Sequence, residues 1–375
     1  MQSTSQRIER IHRTMQREGV DAILVTRRTD VHYLTGYESV SESLPVGSVI
    51  VEGQLPYLIM PELQREAMGQ DSTMAKLRSF ADAPSEHWYP NHGPGFWDCI
   101  DDILREAGVH RGMIGLQHDC LSIREFESLK SAFPDAGFKD FSRALWRLRQ
   151  IKDAAEIDAI RQAVKIAEIG VRTALETVKA GKTEAQCSVD IEAAMRGAGG
   201  ELRGIRAAVL AGGHARFPFA QPTTARVSNS ELVLVDVTVS HSGYLAEVAR
   251  TVHAGSPSTV QRKLFGSVLA TNDALQSVMA PETKISEAAT QALKIAGNGS
   301  PVRGVIQPLG SSIGLDIREP PYIYQESKST FREGMVFSVH PTIYEPEAGC
   351  AKIADVLMIT GEGCESLTTI SKETL

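Results

Sequence analysis

The segment LVLVDVTVSHSGYLAEVARTVHAG, residues 232–255, constrains the fold more tightly than any other stretch. Two long apolar runs flank Ser-His-Ser-Gly, so the segment reads as a β-hairpin with its turn at residues 240–243. Asp236 interrupts the first run, and Glu247 follows eleven positions later in the second. An acid in such a run is costly to bury unless a charge or hydrogen bond meets it. Across a hairpin, that spacing can bring two side chains together on one sheet face. Two carboxylates that close share a proton, repel each other or bridge cations. A metal, a catalytic proton or a structural partner is therefore expected beside them, with Arg250 and Lys352 as candidate partners.

A chain of 375 residues is too long for one ordinary core and predicts two domains. With 42% hydrophobic and 23% charged residues it has the composition of a soluble globular protein. The net charge of −7, with no basic stripe, argues against nucleic acid or an anionic membrane as partner. The first residues are charged and amphipathic, unlike a signal peptide, and no stretch has the apolar length of a membrane span. Five scattered cysteines form neither a CxxC nor a zinc spacing, which points to a reducing, cytoplasmic setting.

Along the first 147 residues helical and strand patterns alternate, as in an α/β domain. RIERIHRTMQREG is an amphipathic helix ended by Gly19, and DAILV, SVIVEG, LPYLIM and MIGLQ read as strands around the helix DCIDDILREAG. The pattern changes near residue 150, where apolar residues recur at three- and four-residue intervals to Gly181. A second helix then opens on a Thr183/Gln186 capping box. Strands follow residue 205, with a helix pair near 258–295 between them. Residues 148–375 are thus expected to form an α+β domain, helices covering one face of a mainly antiparallel sheet. There is no solenoid-type repeat and no low-complexity tract.

Two further segments carry chemistry. VIQPLGSSIGLDIREPP, residues 305–321, is a Gly-punctuated loop running into a strand. GMVFSVHPTIYEPEAGCAKIADVLMIT, residues 334–360, sets His340 at the end of an apolar run ahead of a second strand. Together with the hairpin, their order and spacing resemble the pita-bread family of creatinase, prolidase, aminopeptidase P and methionine aminopeptidase. Asp236, Gly243-Tyr244, Glu247 and Arg250-Thr251 fall where that family has two aspartate metal ligands, a Gly-Tyr and an Arg-Thr. RLRQIKDAAEIDAIRQAVKIAEIG resembles the first helix of its catalytic domain, and RRTDVHYLTGYES resembles part of the creatinase/prolidase amino-terminal domain. The resemblance implies an α/β amino-terminal domain over 1–147 and an α+β pita-bread domain over 148–375.

The ligand positions depart from the family pattern. Ser311 stands for the ligand histidine, and His340 and Ala354 stand for two glutamates fourteen apart; only Asp236 keeps its type. Gln307 and Arg318 replace two flanking histidines, and Phe219 lies nearest a third. A dinuclear site needs bridging carboxylates and open positions for water, so no metal and no other cofactor is expected. Creatinase, as a metal-free C–N hydrolase, is the nearest precedent the resemblance offers. The match is partial: Ala249 stands where creatinase has its glutamate, and no histidine lies near Phe219–Gln221.

The expected activity is metal-independent hydrolysis of an amide or amidine-like C–N bond in a small carboxylate-bearing substrate. His340 would be general base, with Asp236 or Glu247 orienting it or protonating the leaving nitrogen. Arg318 and Lys352 would hold substrate anions, with Ser311 and Tyr244 lining the site. Ser311 has no histidine beside it in sequence to activate it as a nucleophile. His32, His214, His241 and His253 read as loop or surface residues. Two alternatives stand beside this reading: a single metal held by Asp236, Glu247 and His340 in an Xaa-Pro peptidase-like hydrolase, or a non-catalytic protein that binds a ligand or partner in the same cleft. By analogy with creatinase-like dimers, a homodimer is expected, with Glu42 in the loop ESVSESLPVGS reaching the partner's pocket.

Overall fold

The computed structural model describes residues 2–39, 45–68, 75–81, 94–202, 204–297 and 304–374. Glu42 lies outside the described residues. The chain divides into two compact units, Met1–Arg149 and Gln150–Leu375.

The first unit runs α1 (Gln2–Glu18), β1 (Ala22–Val25), α2 (Arg28–Thr35), β2 (Gly47–Val51), β3 (Tyr57–Pro61), α3 (Glu62–Met68), β4 (Lys76–Phe80), α4 (Pro94–Glu106), β5 (Met113–Leu116), α5 (Ile123–Ala132), β6 (Gly137–Asp140) and α6 (Ser142–Gln150). Gly19 ends α1 at φ 66°, a left-handed conformation that only glycine adopts freely. The six strands form one sheet in the order β4-β3-β2-β1-β5-β6. β1, β5 and β6 are parallel, whereas β2 runs antiparallel to both β1 and β3. Phe96, Ile100 and Ile103 of α4 fill the core against Ile59 and Ile114. The alternation read from the sequence is present, with several short elements that its weaker patterns did not reveal. Arg149 and Asp30 are buried together here, joined at 2.8 Å.

The second unit opens with α7 (Ala154–Thr177) and α8 (Glu184–Gly197). Asp153/Glu156 and Thr183/Gln186 form capping boxes at their starts, so side chains satisfy backbone donors that a helix cannot. Then come β7 (Arg206–Ala211), a single 3-10 turn over Gly212–Arg216, β8 (Leu232–His241), β9 (Tyr244–His253), α9 (Thr259–Val278) and α10 (Ile285–Ala296). The remainder is strand: β10 (Val305–Ile306), β11 (Gly310–Ser312), β12 (Glu319–Ile323), β13 (Val336–Val339), β14 (Thr342–Glu345), β15 (Gly349–Lys352), β16 (Asp355–Ile359) and β17 (Cys364–Ser366). Strands associate as β7-β8-β9, β12-β11-β13-β16-β17 and β10-β14-β15, with antiparallel pairing throughout.

The opening hairpin is β8 and β9, closed by a turn of two residues, Ser242 and Gly243, at φ 50° and 75°. Positive φ at both centres matches the twist of the flanking strands. Glu201 accepts both turn N–H groups, at 2.5 and 3.0 Å. Asp236 pairs with Ala249, and Thr238 with Glu247, so the two acids are diagonal neighbours on one face. Tyr244 points to the other face, where its hydroxyl donates to Glu156 of α7 at 3.1 Å. The helices therefore cover one face of the hairpin and the acids line the other.

β9 reaches the five-stranded sheet through reciprocal backbone hydrogen bonds between Ala249 and Ala354, at 3.1 and 3.0 Å. Arg250 clamps this junction. It is fully buried, donates to the carbonyls of Ala249, Ala354, Ile370 and Ser371, and pairs with Asp355 at 2.9 Å. Arg250 is thus no partner for Asp236 or Glu247. Among the described residues no helix is long and apolar enough to cross a membrane. Arg250→Met strands Asp355 as a buried acid and is expected to remove about 3–5 kcal/mol of stability in urea titration. Adding Asp355→Leu should restore part of that loss.

Candidate active site

Four segments, β15, the turn before β12, β13 and β11, bring polar or ionisable groups to the acid-bearing face of the hairpin. Lys352 ends β15, its backbone docked on β9 through Thr251: the Thr251 hydroxyl donates to the Lys352 carbonyl at 2.9 Å and accepts its N–H at 2.8 Å. The Lys352 ammonium then lies between the acids, 2.6 Å from Asp236 Oδ2 and 2.9 Å from Glu247 Oε1. Arg318, from the turn before β12, grips Glu247 with both terminal nitrogens at 2.7 Å. Its neighbour Glu319 is buried and bonded to Lys152 at 3.2 Å, which fixes the chain at Arg318. Gly314 permits that approach, because a Cβ there would come within 2.8 Å of Glu319 Oε1.

Ser338 of β13 donates to Glu247 Oε2. Its cross-strand partner on β11 is Ser311, and His340 follows two residues later, held by its N–H to the Leu309 carbonyl at 2.8 Å. Asp236, Glu247, Ser311, Ser338, His340 and Lys352 are all buried; Arg318 is the one member substantially open to solvent, at 26%. Within this cluster three buried polar atoms have no hydrogen-bond partner: Asp236 Oδ1, Ser311 Oγ and His340 Nε2.

The electrostatics follow from that geometry. Burial pushes the Glu247 carboxyl up, but Lys352 and Arg318 overcome it and hold the group well below the usual carboxylate range. Burial also opposes charge on Lys352, and Asp236 with Glu247 reverses this, raising the ammonium above its ordinary value. Arg318 is raised in the same way by Glu247 against its own desolvation. His340 has no carboxylate hydrogen-bonded to its ring. Burial, reinforced by Arg318 and Lys352, outweighs Glu247 and brings it from 6.5 down to about 3, so the imidazole is neutral.

The expected residues are therefore only partly in their expected roles. Asp236, Glu247, His340 and Ser311 converge. Arg318 and Lys352 converge as well, but their charges are taken by the two acids, so neither is free to hold a substrate anion. Tyr244 is excluded by strand parity: three residues from Glu247, it lies on the opposite face. His214, read as a loop or surface residue, donates from Nδ1 at 2.9 Å to Glu184, a fully buried acid that also accepts the Ala211 and Thr223 N–H groups. Phe219 is 76% exposed and does not fill the cleft. Ser338 was missed, although its place two residues before His340 in a strand puts both on one face.

Residues 158–361 match the model of metallopeptidase family M24, and residues 7–151 match that of the creatinase/prolidase N-terminal domain. The chain belongs to metallopeptidase family M24. It is 27% identical over 375 residues to a protein named Xaa-Pro dipeptidase from Pyrococcus furiosus, covering 99% of both chains. It is 26% identical over 372 residues to a putative dipeptidase of Bacillus subtilis, covering 98% of both. The prolidase structure from Pyrococcus horikoshii superposes with a TM-score of 0.85 at 23% identity, covering 99% of this chain and all of that one. An Xaa-Pro dipeptidase from Bacillus anthracis gives the same score at 22% identity, covering 99% of each. These likenesses bear out the pita-bread fold and its two-domain architecture.

The family name implies a metal, and the donor set here does not fit one. Among the described residues no three His, Cys, Asp or Glu side chains are grouped to hold an ion. The two acids already have ammonium and guanidinium partners, and a cation entering between them would meet two positive charges.

The His340 value sets a pH dependence. Between about pH 6.5 and 3 the unfolded chain binds a proton that the native state refuses, so stability falls as pH falls. The limiting slope is about 1.4 kcal/mol per pH unit for one proton. Glu247 adds loss of the same sign below pH 4.5. Urea titrations from pH 7 to 5 should show declining stability, and His340→Gln should flatten that decline.

Proposed function

We propose that this member of the family hydrolyses a C–N bond of a small molecule without a metal. One observation carries the reading: Lys352 and Arg318 neutralise Asp236 and Glu247 in place, beside a neutral His340 whose Nε2 is unpartnered. The names of the relatives support the reaction class, since an Xaa-Pro dipeptidase cleaves an amide.

In this mechanism His340 Nε2 accepts the proton of an attacking water. The imidazolium so formed is disfavoured by burial and by the two nearby cations, so the proton passes on to the leaving nitrogen rather than resting on the ring. Lys352 and Arg318 hold the two acids in place, and the Ser311 hydroxyl, which has no partner, is the donor for negative charge developing on the attacked group's oxygen. Ser338 and Lys352 keep Glu247 fixed throughout. Substrate recognition through a carboxylate loses its support, because both candidate clamps are internally paired.

The test is a panel of small amides, cyclic amidines and Xaa-Pro dipeptides, assayed with protein purified without a metal-affinity tag, before and after exhaustive chelation. Turnover should survive chelation, and His340→Ala should lower it by about 10²–10⁴-fold. Turnover that vanishes with chelator and returns with manganese or zinc would establish the metal-dependent alternative. No turnover on any substrate would favour a binding protein.

A further inference from the structure

The unpartnered atoms at the site define more than a vacancy in hydrogen bonding. Asp236 Oδ1, Ser311 Oγ and His340 Nε2 belong to side chains that are each more than nine-tenths buried. Ser311 comes from β11 and His340 from the end of its paired strand β13. Asp236 of β8 is linked to them through Lys352 and Glu247, which accepts from Ser338, the cross-strand partner of Ser311. Buried polar atoms are as a rule met by protein, ordered water or a bound group, so three around one cluster mark a place where a polar group can bind.

The cluster's charge decides what sort of occupant. Asp236 and Glu247 carry two negative charges, Lys352 and Arg318 two positive ones, and His340 is neutral. The adjoining ions are paired among themselves, Lys152 with Glu319 and Arg250 with Asp355. An anion or a cation entering this buried group would bring an uncompensated charge, which is far costlier than an unmet hydrogen bond. The atoms themselves ask for both kinds of partner. Asp236 Oδ1 only accepts, the Ser311 hydroxyl both donates and accepts, and a neutral imidazole nitrogen does one or the other according to tautomer.

We infer that this niche binds an uncharged amide-type group, its N–H directed to Asp236 Oδ1 and its oxygen to the Ser311 hydroxyl, with His340 Nε2 as third contact. The inference rests on the metal-free reading above and narrows its substrate to neutral carboxamides, lactams or ureides. Carboxylates and amidinium ions are excluded from the inner niche. Ser311 and Asp236 become specificity-determining residues.

Three planar probes of nearly equal size separate the cases: acetamide, acetate and acetamidinium. Each is titrated into the full-length protein while the His340 ring nitrogens are followed by NMR, the signal being assigned by its loss in His340→Gln. Acetamide should shift the ring resonances saturably, with both ions at least tenfold weaker. Ser311→Ala, which removes one hydroxyl without altering charge, should weaken acetamide about three- to tenfold. Tighter binding of either ion, no binding of acetamide, or full acetamide affinity in Ser311→Ala would each overturn the assignment. The readout is binding, so failure here leaves the turnover panel standing, and a silent turnover panel leaves this result standing.

Discussion

The arrangement of the second unit turns on the Lys352 ammonium, placed between Asp236 and Glu247 on the open face of a buried hairpin. Without a positive charge there, two acids on neighbouring strands would repel one another in a region stripped of water. With it, Glu247 can also take Arg318 and Ser338, and the strands β9, β13 and β15 are tied to one point. The surrounding scaffold serves this placement. Thr251 fixes the backbone of Lys352, Lys152 and Glu319 fix the chain at Arg318, and Arg250 locks the junction of the two sheets from the other side.

That arrangement reconciles a family name with an unusual set of side chains. The chain matches the model of metallopeptidase family M24, and relatives carry the name Xaa-Pro dipeptidase. Here organic cations on the protein itself answer the acids. An ammonium on a flexible stem and a guanidinium fork are donors, not Lewis acids with open coordination positions. They cannot activate a bound water as a metal does, which is why the mechanism proposed above assigns proton transfer to His340, whose Nε2 has no partner.

Much of this was legible before any fold was known. The capping box at Thr183 marks a helix start because the spacing is local and the partners lie within one turn; the equivalent box at Asp153 was not read from the sequence. The diagonal placement of Asp236 and Glu247 follows from hairpin arithmetic. Tyr244 is the instructive error: its place in a motif drew it into the site, whereas counting by twos from Glu247 puts it on the helix-covered face. Ser338 was silent, since a serine in an apolar strand carries no signal until its neighbour across the sheet is known.

What the sequence determined on its own is the main helices and strands, the two-domain order and the two acids that must be answered once buried, because these depend on contacts within a few residues. Which groups answer them was decided only in three dimensions. Lys352 is 116 residues from Asp236 in the chain, and Arg318 is 71 from Glu247. The sequence allowed either cation to be a substrate clamp; the tertiary structure paired both internally, because a buried carboxylate takes the nearest charge that the fold delivers.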